Sequence, residues 1–226
     1  MSALDVADLV VNRGGLPVVR GVALSVAPGG VSVLLGANGA GKTTLLEGLS
    51  GITPIAGGRI ALAGEAIQTL RPGGRARKGL AHVEQGRTVF RQLTTDENLR
   101  AAGRDADTAE AYHLFPELEK RRHVRAGLLS GGEQQMLVIA RALLTKPKAI
   151  MIDEMSAGLA PVVVSRLMAA VRKLADQGLA VIVISSYLPE ILNLSDRILV
   201  ARQGRIVEEF SPTEATEEKI MYAAVH

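Results

Sequence analysis

The chain has 226 residues, 47% hydrophobic and 22% charged, with a formal net charge of +3. That suits one large globular domain, or a core domain carrying an inserted subdomain. The absence of cysteine excludes disulfides and thiolate metal sites, and no apolar run approaches the roughly 20 residues of a membrane-spanning helix. Met1-Ser2-Ala3-Leu4-Asp5 has no basic stretch followed by an apolar one, so a cytosolic chain is expected. The mild, dispersed charge argues neither for nor against nucleic acid. With no Trp and three Phe there is no stacking platform for bases, so no nucleic-acid partner is expected.

Leu4–Val11 and Gly21–Val26 predict strands of a small sheet, and Val31–Leu35 a buried strand. That strand leads into Gly36-Ala37-Asn38-Gly39-Ala40-Gly41-Lys42-Thr43-Thr44, which matches G-x-x-x-x-G-K-[ST]. A helix-compatible run, Lys42 to Leu49, leaves it. Strand, glycine-rich loop and helix are the context in which this spacing cradles phosphate. Gly36, Gly39 and Gly41 can take φ > 0 and turn successive N–H groups inward, and the helix N-terminus adds partial positive charge. Lys42 is then expected to reach the β- and γ-phosphates, and the Thr43 hydroxyl to ligate Mg²⁺.

Arg59–Leu62 reads as a strand after a Gly57-Gly58 turn, and Leu80–Val83 as another. From about Thr94 to Leu128 apolar residues fall at helical spacing among dense charges, which predicts a helical insert. Two basic clusters, Arg71/Arg75/Arg77/Lys78 and Lys120/Arg121/Arg122/Arg125, read as solvated helix faces. At Leu129-Ser130-Gly131-Gly132-Glu133-Gln134-Gln135, Ser130 is a good N-cap and Glu133 stands at capping-box spacing. The two glycines leave N–H groups open to a phosphate, although taken alone an ordinary capped helix through Leu144 explains the run equally well. Ala149–Ile152 is a buried strand ending in Asp153-Glu154. There Asp153 can hold Mg²⁺ through water and Glu154 can polarise an attacking water, or the pair can be plain surface charge. Gln85 can ligate Mg²⁺ or sense the γ-phosphate. A helix over Val162–Ala175, a strand over Ala180–Ile184, a hairpin of Ile198–Ala201 and Arg205–Val207, and a terminal helix over Thr213–Val225 complete the chain. The alternation implies a mainly parallel sheet with ligands at the carboxyl ends of its strands.

In this order, these features resemble the ATP-binding-cassette (ABC) ATPases over essentially the whole chain. The resemblance implies an α/β P-loop NTPase fold: a mainly parallel sheet core, a small antiparallel β subdomain and an inserted helical subdomain. Residues 1–226 would form a single nucleotide-binding domain, with the helical signature subdomain at about 94–145. Gly36–Thr44 would be the Walker A loop, Gln85 the Q-loop residue, Leu129–Gln135 the signature and Ile150–Glu154 Walker B. ATP and Mg²⁺ are the implied ligands, with Lys42, Gln85 and Glu154 in catalysis and Thr43, Gln85 and Asp153 around the metal. The family packs two cassettes head to tail, so Ser130, Gly131, Gly132 and Glu133 would meet the partner's nucleotide.

Two branches of the family are resembled. Residues 4–164 look like ATPases of branched-chain amino acid importers, on Leu35–Thr44, Gln85–Phe90, Leu114–Leu118 and Ser156–Pro161. Residues 181–226 look like the C-terminal cassette of monosaccharide importers, on Ile184–Ile191, Ser195–Val200 and Thr213–Thr216. Some positions depart from the family pattern. Ser186 stands where members carry a switch histidine, and a hydroxyl lacks the reach and charge option of imidazole. Arg13 falls where an aromatic stacks on adenine, and a guanidinium plane can stack on a base. Met155 and Ala160 replace the usual Pro and Asp. Slower hydrolysis, or dependence on a partner cassette, is the expectation.

The leading reading is the ATP-hydrolysing subunit of an importer of small solutes such as branched-chain amino acids. It would sit on the inner face of the cell membrane through transmembrane permease subunits, which would dock near Arg87, Phe90 and Glu97, and it would act with a solute-binding protein. The alternatives are a sugar-importer ATPase, a degenerate cassette that binds ATP but needs a partner to hydrolyse it, and an ATP-gated switch outside transport.

Overall fold

The computed structural model describes residues 2–154, 156, 158–185 and 192–226. Strands β1 (Leu4–Arg13), β2 (Leu16–Val26), β4 (Ile55–Leu62) and β5 (Glu65–Ala66) form an antiparallel sheet in the order β2-β1-β4-β5. Strands β3 (Val31–Leu35), β6 (Leu80–Val83), β7 (Ala149–Ile152), β8 (Ala180–Ile184), β9 (Arg197–Arg202) and β10 (Arg205–Phe210) form a second, in the order β10-β9-β3-β8-β7-β6. All its neighbours pair in parallel except the β9–β10 hairpin.

Both faces of the parallel sheet are buried, which is why its strands read as unbroken apolar runs rather than alternating ones. Val31, Val33 and Leu35 of β3 face one core, and Leu34 faces the other. On the Leu34 side lies α1 (Lys42–Ser50), whose Leu45, Leu46 and Leu49 pack with Leu4, Leu9 and Ile60 of the antiparallel sheet. Full burial of each such leucine contributes about 1.5–3 kcal/mol. The helix that leaves the glycine-rich loop is therefore clamped between two sheets.

The other face is covered by α6 (Gly131–Leu143) and α7 (Pro161–Ala175), with α3 (Thr95–Arg100), α4 (Thr108–Leu114) and α5 (Pro116–Glu119) joining the same core through Leu99, Tyr112 and Leu118. Strands β6 and β7 are hydrogen-bonded neighbours, Val83 against Ile152, and α3 to α6 all lie in the chain between them. A terminal helix, α8 (Glu217–Val225), is capped by Thr216, whose hydroxyl accepts from the Lys219 N–H.

Two local expectations are corrected. Gly57-Gly58 is not a turn: both lie inside β4. Gly58 has φ +99, and a Cβ there would stand 2.6 Å from Leu9 Cα, where the β1–β4 register shifts between Ala7 and Val10. A glycine pair inside a strand here marks a bulge and a close backbone approach. Residues Pro72–Lys78 form a helix, α2, begun by proline at its first turn. The basic cluster on α2 is not a solvated face throughout, because Arg75 is buried.

Candidate functional site

Because β3, β6, β7 and β8 are parallel, their carboxyl ends meet at one edge of the sheet. Gly36 follows β3, Gln85 follows β6, Asp153 and Glu154 follow β7, and Ser185 follows β8. In the loop after β3, Gly36, Gly39 and Gly41 have φ of +142, +81 and +98, as their spacing predicts. Gly36 also lies where no side chain fits, since a Cβ would be 2.1 Å from the Ala201 carbonyl oxygen.

Gly41 is the N-cap of α1; no side chain caps that end and its first turn carries no acid. The partial positive charge of the helix end is thus left for an anion. Asn38 and Gly39 are exposed at the tip, while Ala40 and Thr44 are buried at the base. Lys42 Nζ donates to the carbonyls of Gly36 (2.7 Å) and Ala37 (3.0 Å), which folds the amine over the loop. Burial lowers its pKa, and the charges of Glu154 and Asp153 oppose that. The two carboxylates after β7 are thereby electrostatic neighbours of the loop, as expected for that pair of strand ends.

Asp153 is 1% exposed. Its N–H donates to the Val83 carbonyl (2.9 Å), but neither carboxylate oxygen has a well-formed hydrogen bond. Burial raises its pKa, against the Thr43 hydroxyl and Lys42 beside it, which pull it down. A buried carboxylate left in this state is costly unless a cation or donor reaches it. Glu154, half-buried, takes φ +54, a left-handed conformation that a non-glycine residue pays for. Gln85 is exposed two residues beyond the Val83–Ile152 pair. Ser185 is buried and shares a 2.9 Å hydrogen bond with the Ser156 hydroxyl. Ser186 and Met155 lie outside the described residues; Ala160 is the N-cap residue of α7.

The Ser130–Glu133 capping box forms at the start of α6. The Glu133 N–H donates to Ser130 Oγ (3.3 Å), and the Ser130 N–H donates to the Glu133 carboxylate (2.8 Å). Burial acts to raise the Glu133 pKa, but the Ser130 N–H and hydroxyl and the Arg121 guanidinium (3.0 Å) outweigh it and hold it below its ordinary value. Gly132 packs under Val163 of α7: a Cβ would stand 2.8 Å from its Cγ1. Arg13 ends β1 with its Nε donating to Thr44 Oγ1 (3.1 Å) and its guanidinium paired with Glu47 of α1.

Two residues outside the predicted nucleotide site also touch these loops. Gly204, between β9 and β10, donates its N–H to Ala40. Arg87 packs its guanidinium against Gly131 and Gly158. A positively charged groove of about 970 Å³ runs between β6 and α6, with Phe90, Arg77, Arg104, Arg141 and Lys148 on its walls. Arg141 lies over the Phe90 ring, 4.6 Å from its centroid. Of the three residues expected at a docking groove, Phe90 lines it and Arg87 and Glu97 do not.

The family model described as ABC transporter matches residues 19–157. The chain is 40% identical over 201 residues to the high-affinity branched-chain amino acid transport ATP-binding protein BraG of Pseudomonas aeruginosa, covering 86% of each. It is 37% identical over 229 residues to the ribose import ATP-binding protein RbsA of Pseudomonas putida, covering 96% of this chain and 45% of that one. It is 35% identical over 228 residues to the lipopolysaccharide export system ATP-binding protein LptB of Escherichia coli, covering 97% and 95%. A solved ATP-binding cassette of an ABC transporter superposes with a TM-score of 0.89 at 26% identity, with full coverage of both chains.

Proposed function

The chain belongs to the ABC transporter family, and on that premise we propose that it is the ATP-binding and ATP-hydrolysing subunit of a membrane importer of small solutes, with branched-chain amino acids as the leading class. The observation that carries this reading is the meeting of a glycine-rich loop, an uncapped helix N-terminus and the buried carboxylate of Asp153 at one sheet edge. The loop amides and Lys42 hold the β- and γ-phosphates of ATP. Asn38, Ala40 and Thr44 shape the loop around them, and the Arg13 guanidinium stacks on the base.

The donor set fits Mg²⁺. Among the described residues no group of three or more His, Cys, Asp or Glu forms a cation cage, and Mg²⁺ needs none, since it is held by one or two carboxylates, waters and phosphate oxygens. Thr43, Gln85 and Asp153 would hold it, and bound there it would offset phosphate charge. Glu154 orients the attacking water and accepts its proton. Ser186 stands in for a histidine and slows this step, so Ser186→His is expected to raise turnover.

The working unit pairs two cassettes, with Ser130, Gly131, Gly132 and Glu133 of one facing the nucleotide of the other. Among the described residues no helix is long and apolar enough to cross a membrane. In this reading transmembrane permease subunits dock along the groove at Phe90 and Arg141 and hold this chain at the inner face of the membrane. A solute-binding protein delivers the cargo. The ribose-import relative supports sugar as the second solute class.

The test is Mg²⁺-dependent ATP turnover of the purified chain against Glu154→Gln over a range of protein concentrations. Turnover should rise more steeply than concentration and fall by about 10²–10⁴-fold in the variant. ATP binding without turnover in either protein would replace this reading with a cassette that needs another chain. Solute class is read from uptake assays with the co-purified permease.

A further inference from the structure

The segment after β6 makes an abrupt turn in which two consecutive residues, Gly86 (φ +101) and Arg87 (φ +54), are left-handed. Arg87 is the one that carries a side chain, and a left-handed non-glycine residue persists only where its surroundings hold it. It runs to the first residue of α6. A Cβ on Gly131 would stand 2.5 Å from Arg87 Nη1 and 3.1 Å from Cζ, and one on Gly158 would stand 3.5 Å from Nη2. The guanidinium therefore fills space that two glycines on two different loops leave open. Three segments meet on this one side chain: the Gln85 turn, the first turn of α6 and the loop after Glu154.

The same segment is fixed to α6 and α3 a few residues on. Arg141 Nη2 donates to the Thr88 carbonyl (2.7 Å), and the buried Asn98 both accepts from the Phe90 N–H (2.9 Å) and donates to its carbonyl (3.0 Å). Arg141 and Asn98 act beyond residue 87, whereas Arg87 reaches Gly158 in the loop after β7. A planar guanidinium with two terminal nitrogens can lie against both glycines at once, which an ammonium cannot.

We propose that Arg87 is a positioning residue that locks the Gln85 turn, the Ser130–Gly132 turn and the loop after Glu154 into one mechanical unit. Displacement of any one of the three is then passed to the other two. The link to hydrolysis rests on the function proposed above; the lock itself does not.

Hydrogen–deuterium exchange on the full chain, without nucleotide, tests the lock. In Arg87→Ala, the amides of Glu133, Gln134 and Leu159, bonded to Ser130 and Ser156, should exchange at least about tenfold faster, with the global melting temperature changed by less than about 2 °C. Arg87→Lys should behave like Arg87→Ala. Gly131→Ala should reproduce the pattern at Leu159 by pushing the flexible guanidinium aside, and in the Arg87→Ala background should add nothing further there. Acceleration confined to residues 85–89, or independent effects of the two substitutions, overturns the proposal. In turnover assays Arg87→Ala should lower kcat about tenfold or more with ATP affinity unchanged, and an equal loss of ATP affinity would make Arg87 a nucleotide contact instead. If the unsubstituted chain has no turnover, the hydrolysis reading fails while the exchange data still decide the lock.

Discussion

The Gly204 N–H donates to the Ala40 carbonyl across 3.0 Å, tying the β9–β10 turn to the base of the glycine-rich loop. The same residue accepts from the Arg20 N–H at 2.8 Å, has φ +79, and would place a Cβ 1.9 Å from the Val18 carbonyl oxygen. That oxygen belongs to backbone and cannot swing away. Gly204→Ala is expected to cost about 2–4 kcal/mol of stability, because left-handed strain and a backbone clash add. It should also weaken ATP binding, because Ala40 loses its anchor. Thermal unfolding and nucleotide titration check both, and an unchanged ATP affinity would mean that the loop holds its shape unaided.

On the function proposed above, Asp153 serves a ligand rather than the fold. Its buried carboxylate, with neither oxygen well bonded, opposes folding. Asp153→Asn removes the charge at constant size and should raise unfolding stability without nucleotide by about 1–3 kcal/mol. The same change should abolish Mg²⁺-dependent turnover. A variant that is both less stable and inactive would make Asp153 a structural residue.

His82 gives the fold an acid-sensitive point. Its Nδ1 is 3.1 Å from the Ser50 hydroxyl, its Nε2 is buried without a partner, and burial lowers its pKa from 6.5 to about 4. Between those values the unfolded chain binds a proton that the folded chain refuses. Stability therefore falls as pH drops through this window, by about 3 kcal/mol at its lower end. His82→Gln should flatten this limb, read as unfolding free energy in urea from pH 7 to pH 4. Parallel pH curves for the two proteins would exclude His82 as the source.

Arg75 terminates α1. Its guanidinium donates to the carbonyls of Gly48 (2.7 Å), Leu49 (2.7 Å) and Gln68 (2.8 Å), and its Nε donates to that of Leu70 (3.0 Å). Arg75→Met keeps much of the volume but strands these acceptors, at a cost of about 3 kcal/mol or more. Arg75→Lys should recover only part of it, since one ammonium cannot reach both sides. Equilibrium unfolding of the two variants measures the difference.

What was legible in the chain was whatever announces itself locally. The five-residue run Val31–Leu35 and the glycines that follow it are dictated by backbone chemistry, and strand, φ values and helix fall where the spacing predicts. The Ser130–Glu133 box is likewise a contact between residues three apart. What escaped depends on distant partners. Gly57-Gly58 has the composition of a turn, and only the approach of Leu9 makes it strand interior. Arg75 has the composition of a surface residue, and only the end of α1 gives it carbonyls to cap. Arg87 is expected at a docking groove and Gly204 only at a hairpin turn; the contacts they make come from glycines and carbonyls supplied by other segments.

The pairing of β3 has a consequence for how the protein is made. Val31 is bonded in register with Val181, and Ser32 with Arg197. The strand that launches the glycine-rich loop thus leaves the ribosome well before either of its sheet neighbours has been translated. Synthesis at about 5–20 residues per second leaves that apolar strand without its sheet for about 7–30 seconds. A nascent chain halted before Ala180 has both flanks of β3 unpaired, so it lacks the scaffold for the phosphate loop altogether. Such a fragment exposes an unpaired apolar strand, which favours aggregation over nucleotide binding.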